Sequence, residues 1–278
     1  MKTPQQILII ALLLTPLSVF SDTLKEKQET GTIKLGTWSA APLTIPDGRG
    51  LFDQMMKEAF DRCCNLSSKV IALPPERSLK LANSGVMDGE LPRIANISGP
   101  NSNYPNLVQV DVPVIPISHI AFSTNPDIQI KQWDEFKSYN VGIVTGWKIL
   151  ERNIKNYRSL TKFDSEASLF NALKKGRIDV AVYSRLSGLM EIKKLDISGI
   201  YGSNAPKLQT GKYTLYLYMH KKHKSLIPKL EKALASMKTD GTYARIFCDT
   251  LKDSLPKEEA NKVISNLLDS LNAKGSCS

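Results

Sequence analysis

The feature that most restricts this chain's fold is an alternation of strand-like and helix-like segments that runs along it twice. Runs at residues 33–38 and 69–73 read as strands, and between them Phe52, Met55, Met56 and Phe60 recur at helical spacing. A helix is predicted over 76–83, followed by a brief strand whose end carries Asp88, Glu90 and Arg93. An extended run at 108–112, prolines at 113 and 116, and a continuous extended run at 117–123 follow. After Asn125-Pro126 the pattern restarts with a short helix at 132–136, a strand at 139–144 and a helix at 147–154. A weak strand at 159–163, a helix at 166–175, a strand at 178–183 and a helix at 186–194 complete that set. Residues 213–219 alternate Tyr and Leu as a long strand, and helices are predicted over 225–237, 242–251 and 257–271. The pattern implies two small α/β units joined by two extended crossings, near residues 120 and 213.

Within the first unit, PPERSLKLANSGVMDGELPR (74–93) concentrates the charge. Proline opens its helix and Ser84-Gly85 stops it. Asp88, Glu90 and Arg93 would then stand where an α/β sheet meets its crevice, the usual place for a ligand. A surface ion-pair patch is the alternative reading.

Residues 1–21 hold one basic residue, Lys2, an apolar core from Ile7 and a permissive end at Ser21, which reads as a secretory signal peptide cleaved after Ser21. The apolar run is shorter than the ~20 residues needed to span a bilayer, so the mature protein is expected to be exported and soluble. Removing 21 of 278 residues leaves 257, and losing Lys2 takes the net charge from +10 to +9. The lysines are scattered over predicted helices with few aromatics between them, which argues for a solvated basic surface, with steering of an anionic ligand as the alternative, and against a nucleic-acid partner. Four cysteines, at 63, 64, 248 and 277, imply two disulfides in an oxidising compartment. The expected pairing joins Cys63 or Cys64 to Cys248 or Cys277. No histidine lies near either pair, so metal binding is the weaker reading.

The order of these segments, with VGIVTGWKIL (141–150), SLFNALKKGRIDVAVYSR (168–185) and KLEKALASMKTDGTYARIF (229–247), resembles the type 2 periplasmic solute-binding proteins. More narrowly, it is similar to the polar amino-acid-binding components of ABC transporters. The resemblance implies a two-lobed α/β fold with a discontinuous first lobe, 22–120 with 215–278, and a second lobe at 121–214. It also implies a ligand cleft that closes by a hinge, a periplasmic location, no cofactor, a monomer, and a membrane permease or sensor as partner. Two departures stand out. The region where amino-acid binders place an arginine for the ligand carboxylate is here Ser98-Gly99-Pro100. Ser184 stands where those proteins place an aspartate for the α-amine.

The candidate ligand residues are Trp38, Arg77, Glu90, Arg93, Thr145, Gly146, Trp147 and Tyr183. Arg77 and Arg93 suit a planar grip on a carboxylate or sulfonate, and Thr145-Gly146 would offer backbone N–H donors at a helix start. Arg93 has internal pairing with Glu90 or Asp88 as its alternative, and each tryptophan has ordinary packing. Asp88 and Asp179 occupy matching places, where the resemblance implies a structural aspartate at a strand's start, and His119, a lone histidine in an apolar strand, reads as a core or hinge residue. The leading function is a non-catalytic binder of a small polar or anionic solute without an obligatory α-amine. The alternatives are a lyase-type enzyme using Glu90 or Glu76 as acid or base, and a docking module without a small ligand.

Overall fold

The computed structural model describes residues 31–202 and 213–277. The leader expected at 1–21 lies outside the described residues. In chain order the elements are β1 (Ile33–Thr37), α1 (Leu51–Cys64), β2 (Ser68–Ala72), α2 (Pro75–Asn83), β3 (Gly89–Ile94), β4 (Leu107–Gln109), β5 (Ile115–Ile117) and β6 (His119–Ser123). Then follow β7 (Asn140–Val144), α3 (Lys148–Asn153), β8 (Ser159–Phe163), α4 (Glu166–Lys174), β9 (Val180–Ser184), α5 (Arg185–Lys194) and β10 (Tyr201–Gly202). The chain closes with β11 (Tyr213–His220), α6 (Ile227–Thr239), α7 (Thr242–Leu251) and α8 (Lys257–Ser270).

Two mixed sheets result, as the alternating pattern requires. The first runs β2-β1-β3-β11-β4, with β5 also on β11; β1 is parallel to β2 and β3, and β11 is antiparallel to its neighbours. The second runs β10-β6-β9-β7-β8, with β7 parallel to β8 and β9, and β6 antiparallel to β9. Helix α1 forms because Leu51, Phe52, Met55, Met56, Ala59 and Phe60 share one face, and all are buried. Each of the larger side chains contributes about 1.5–3 kcal/mol by leaving water. Asp53 secures its start by accepting from Gly50 N at 3.0 Å and Ile45 N at 2.8 Å, and Asn65 in the left-handed region (φ 52°) ends it.

Asp88 and Asp179 do the same work in the two lobes. Asp88 Oδ2 accepts from Lys34 N and its own N–H donates to Lys34 O; Asp179 repeats both contacts with Asn140. Each carboxylate fixes the start of its strand against the neighbouring parallel strand. Burial opposes ionisation of Asp88, yet Lys222, Lys34 N–H and His223 together hold its carboxyl below the usual range.

The structure corrects several expectations. The continuous run predicted over 117–123 breaks at Ser118, where the chain leaves one sheet for the other. Asp88, Glu90 and Arg93 do not end a strand: Asp88 precedes β3, and the other two lie within it. The cysteine pairing also differs. Cys63 joins Cys64 at the end of α1, and Cys248 on α7 joins Cys277 across a Cα separation of 5.5 Å. The reason lies in how the carboxyl terminus docks. Lys274 N donates to Lys238 O while α8 packs on α7, which carries Cys277 to Cys248 and leaves the end of α1 to its own two thiols. Among the described residues, no helix is long and apolar enough to cross a membrane.

Candidate functional site

The carboxyl ends of the parallel strands converge on one place. Trp38 follows β1 and Trp147 follows the turn after β7, and their rings meet edge-on with centroids 6.2 Å apart. This is where open α/β sheets place ligands, here shared between two sheets.

On the first lobe, half-buried Trp38 is held by its indole N–H, which donates to Pro92 O at 3.0 Å. On the same strand as Pro92, Glu90 is fully buried. Gly36 lies beside Glu90 in register, and Ser78 of α2 donates a hydrogen bond to Glu90 Oε2. Arg93 closes the group: Nε and Nη2 donate to Glu90 Oε1 at 2.9 and 2.6 Å, and Nη2 also reaches Pro75 O at 2.9 Å. Its Nη1 has no partner among the described residues. Burial pushes the Glu90 carboxyl above its ordinary range, against the opposing pull of Arg93 and Ser78. Arg93 is thus a partner of Glu90 with one edge of its guanidinium left over. Nearby, Tyr104 donates to Glu76 Oε2 at 3.2 Å, while Arg77 is exposed on α2 and ion-paired to none of the described residues.

Residues 90 and 93 would face opposite sides of a regular strand. They meet because β3 carries an extra residue against β11: Arg93 lies opposite Tyr216 and Glu90 opposite Tyr218, three steps against two.

On the second lobe, Trp147 packs on Tyr183 and His119 at centroid distances of 5.1 and 5.2 Å. Tyr183 was expected to face the cleft. It is instead buried, donates its hydroxyl to Glu166 Oε1 at 2.5 Å, and supports Trp147 from below. His119 is also buried, and its Nε2 has no hydrogen-bond partner among the described residues; burial lowers its pKa to about 4. Thr145 is exposed, but its N–H and hydroxyl both donate to Phe163 O, at 2.8 and 3.1 Å. The donors of Thr145 are therefore spent on the end of β8, and Gly146 (φ 90°) makes the turn. Helix α3 has only six residues. Ser184 is buried at the N-cap of α5, in register with His119.

Sequence reasoning missed Ser78, Gly36 and Tyr104. Ser78 stood inside the 74–93 stretch, and its helical spacing could have aimed it at the strand; the other two gave no local signal. Two cavities lie elsewhere. One of about 360 Å³ borders the crossing between the sheets, and one of about 200 Å³ lies between the loop before α1 and β2. Among the described residues, no cluster of side chains is arranged to hold a metal.

No protein-family model matches the chain. An uncharacterized protein of Shewanella oneidensis is 29% identical over 179 residues, 62% of this chain and 66% of that protein, so the match spans just under two thirds of the relative. Solved structures are similar over most of their length. One is an ancestral arginine-binding protein bound to glutamine, with 20% identity and a TM-score of 0.60 over 79% of this chain and 97% of that one. Another is a histidine kinase sensor domain with similarity to periplasmic binding proteins, with 14% identity and a TM-score of 0.62 over 81% and 98%. The chain has the two-lobed type 2 periplasmic binding fold.

Proposed function

We propose that this chain is an exported, non-catalytic solute-binding protein that holds a small polar or anionic ligand between its lobes, for delivery to an ABC permease or a sensor. The observation that carries the reading is the contact of Trp38 with Trp147, which joins the carboxyl ends of both sheets, with Trp38 bonded to Pro92 of the strand that carries the Glu90–Arg93 pair. A flat or compact ligand entering there meets aromatic surface from each lobe, and the free edge of Arg93 offers two N–H donors to a carboxylate. Thr145, whose hydroxyl proton is committed, offers its oxygen as an acceptor, and Gly146 offers its N–H. The lobes divide as 22–120 with 215–278 and 121–214, and closing them on the ligand completes its contacts. Ser184 supports a ligand that needs no α-amine, because it is buried, uncharged and used to start α5.

A thermal-shift screen of carboxylates, sulfonates and amino acids, followed by calorimetry on the hits, tests this. A ligand at 100 times its Kd should stabilise the protein by about 2.7 kcal/mol. Arg93→Lys, which keeps a charge beside Glu90, should still fold and bind about ten- to a hundredfold more weakly, the worth of a charge-assisted hydrogen bond. Undiminished binding by Arg93→Lys would reduce Arg93 to a partner of Glu90. Turnover of a hit would make the chain an enzyme, and an empty screen would favour a docking role.

A further inference from the structure

We propose that the chain attaches reversibly to anionic phospholipid bilayers through a basic pole of its first lobe, at the end of the sheet opposite the Trp38–Trp147 contact. Strands β1, β2 and β3 run parallel, so their carboxyl ends share the cleft and their amino ends share this pole. Strand β11 runs against β3 and finishes there, with Met219 opposite Gly89. Separate segments therefore bring lysines to one place. Lys34 and Lys69 lie side by side near the starts of β1 and β2, and Lys221 and Lys224 belong to the irregular helical turn Lys221–Leu226 that follows β11. All four are exposed, and none is ion-paired to a described residue. Asp88, the carboxylate at the head of β3, is already answered by Lys222 Nζ at 2.8 Å and His223 Nε2 at 2.7 Å. The other lysines keep their charge for something outside the chain.

Among them stands an apolar tip. Val86 is 64% exposed, the most exposed of the large apolar side chains among the described residues. A lone surface valine is ordinary, but this one is held out by a fixed turn. Gly85 takes the left-handed conformation (φ 81°), Lys222 Nζ donates to its carbonyl at 2.8 Å, and Met87 N donates to Leu81 O at 3.1 Å. Two residues on, Asp88 holds both Lys34 N–H and Lys222 Nζ. The valine is thus tied to the lysines of β1 and of the turn after β11.

A bilayer matches both features. Its anionic headgroups favour each lysine near the surface by about fivefold in partition, and the boundary beneath them accepts an apolar side chain. A nucleic acid would use the charge and leave the valine idle, and single strands stack their bases on aromatic rings. The exposed large aromatics, Tyr157 and Tyr201, both lie by the second sheet. Attachment by this pole leaves the cleft open to solution.

The test is co-sedimentation of the exported chain with vesicles of phosphatidylcholine alone and of phosphatidylcholine mixed equally with phosphatidylglycerol. Binding should be confined to the mixed vesicles and should fade as salt shortens the screening length from about 30 to about 8 Å. Lys221→Gln combined with Lys224→Gln should weaken it about twentyfold or more, at about fivefold for each lysine. Lys131→Gln combined with Lys137→Gln removes the same charge from exposed positions of the second lobe. That pair should leave binding within about twofold, because exposed charges more than a Debye length from the bilayer are screened. Val86→Ser should weaken binding about three- to tenfold by removing the apolar contact. Every replaced residue is exposed, so the variants keep the fold, with far-ultraviolet circular dichroism as the check. The proposal is overturned if the mixed vesicles fail to bind at low salt, if the two lysine pairs matter equally, if Val86→Ser binds as its parent does, or if duplex DNA binds as tightly as the mixed vesicles.

Discussion

Gly36 shows how little room the buried carboxylate has. A Cβ at this position would lie 2.7 Å from Glu90 Oε2 and against the Ser78 hydroxyl. Gly36→Ala should therefore cost about 1–3 kcal/mol, the usual range for overpacking a core, read as a lower urea midpoint at unchanged slope. His119 makes a prediction about acid. Its folded pKa of about 4 lies below the ordinary 6.5 because burial disfavours the cation. Between those values the unfolded chain binds the proton and the folded chain does not, so stability present above pH 6.5 is lost as pH falls towards 4. His119→Gln should flatten this slope, and the two proteins' stabilities should converge by up to roughly 3 kcal/mol between pH 7 and pH 4. At this scale the sequence was readable where a residue type carries its own demand. Asp88 and Asp179 were legible as structural carboxylates through their matching places and the family resemblance, although Asp88 was expected at the end of its strand and stands before its start. The Glu90–Arg93 pair was only half legible, since the extra residue in β3 that turns both to one side depends on pairing with β11, more than 120 residues away.

Elements were legible wherever apolar spacing is strong. The helix predicted over 242–251 matches α7 to the residue, and that over 257–271 matches α8 within one, because each has a continuous buried face. How elements dock is another matter. Arg62 near the end of α1 reaches Glu58 at 2.6 Å, Asp240 at 2.5 Å and Thr242 Oγ1 at 2.8 Å, binding α1 to the junction of α6 and α7. This network holds the Asp240 carboxyl down at about 2. With α8 then folded on α7, the terminal cysteine falls to Cys248, a partner that spacing alone does not disclose. The two disulfides should differ sharply in worth. Cys248–Cys277 spans 29 residues, so replacing both with serine should lower stability by about 3–4 kcal/mol in the chain-entropy account. Cys63–Cys64 closes no loop, and its double serine variant should lose far less. Denaturation of both variants, with peptide mapping of the oxidised protein for the pairing, checks the contrast.

At the scale of the molecule, the alternation of strands and helices was enough to read two sheets and a crossing near residue 120. It was not enough to find β10, a two-residue strand, or to see that Ser118 alone separates the sheets. Strand order was equally hidden, since β11 lies between β3 and β4 through contacts remote in sequence. The aromatic bridge between the lobes has a consequence for observation. Trp38 and Trp147 are two of the chain's three tryptophans, and at 6.2 Å their indole transitions couple as an exciton pair. The circular dichroism spectrum should carry a couplet that disappears equally in Trp38→Phe and Trp147→Phe and survives in Trp133→Phe. Because the two rings belong to different lobes, its amplitude should change when a solute parts them or slides between them. The molecule thereby writes the separation of its halves into its own absorption of circularly polarised light, with no dye attached.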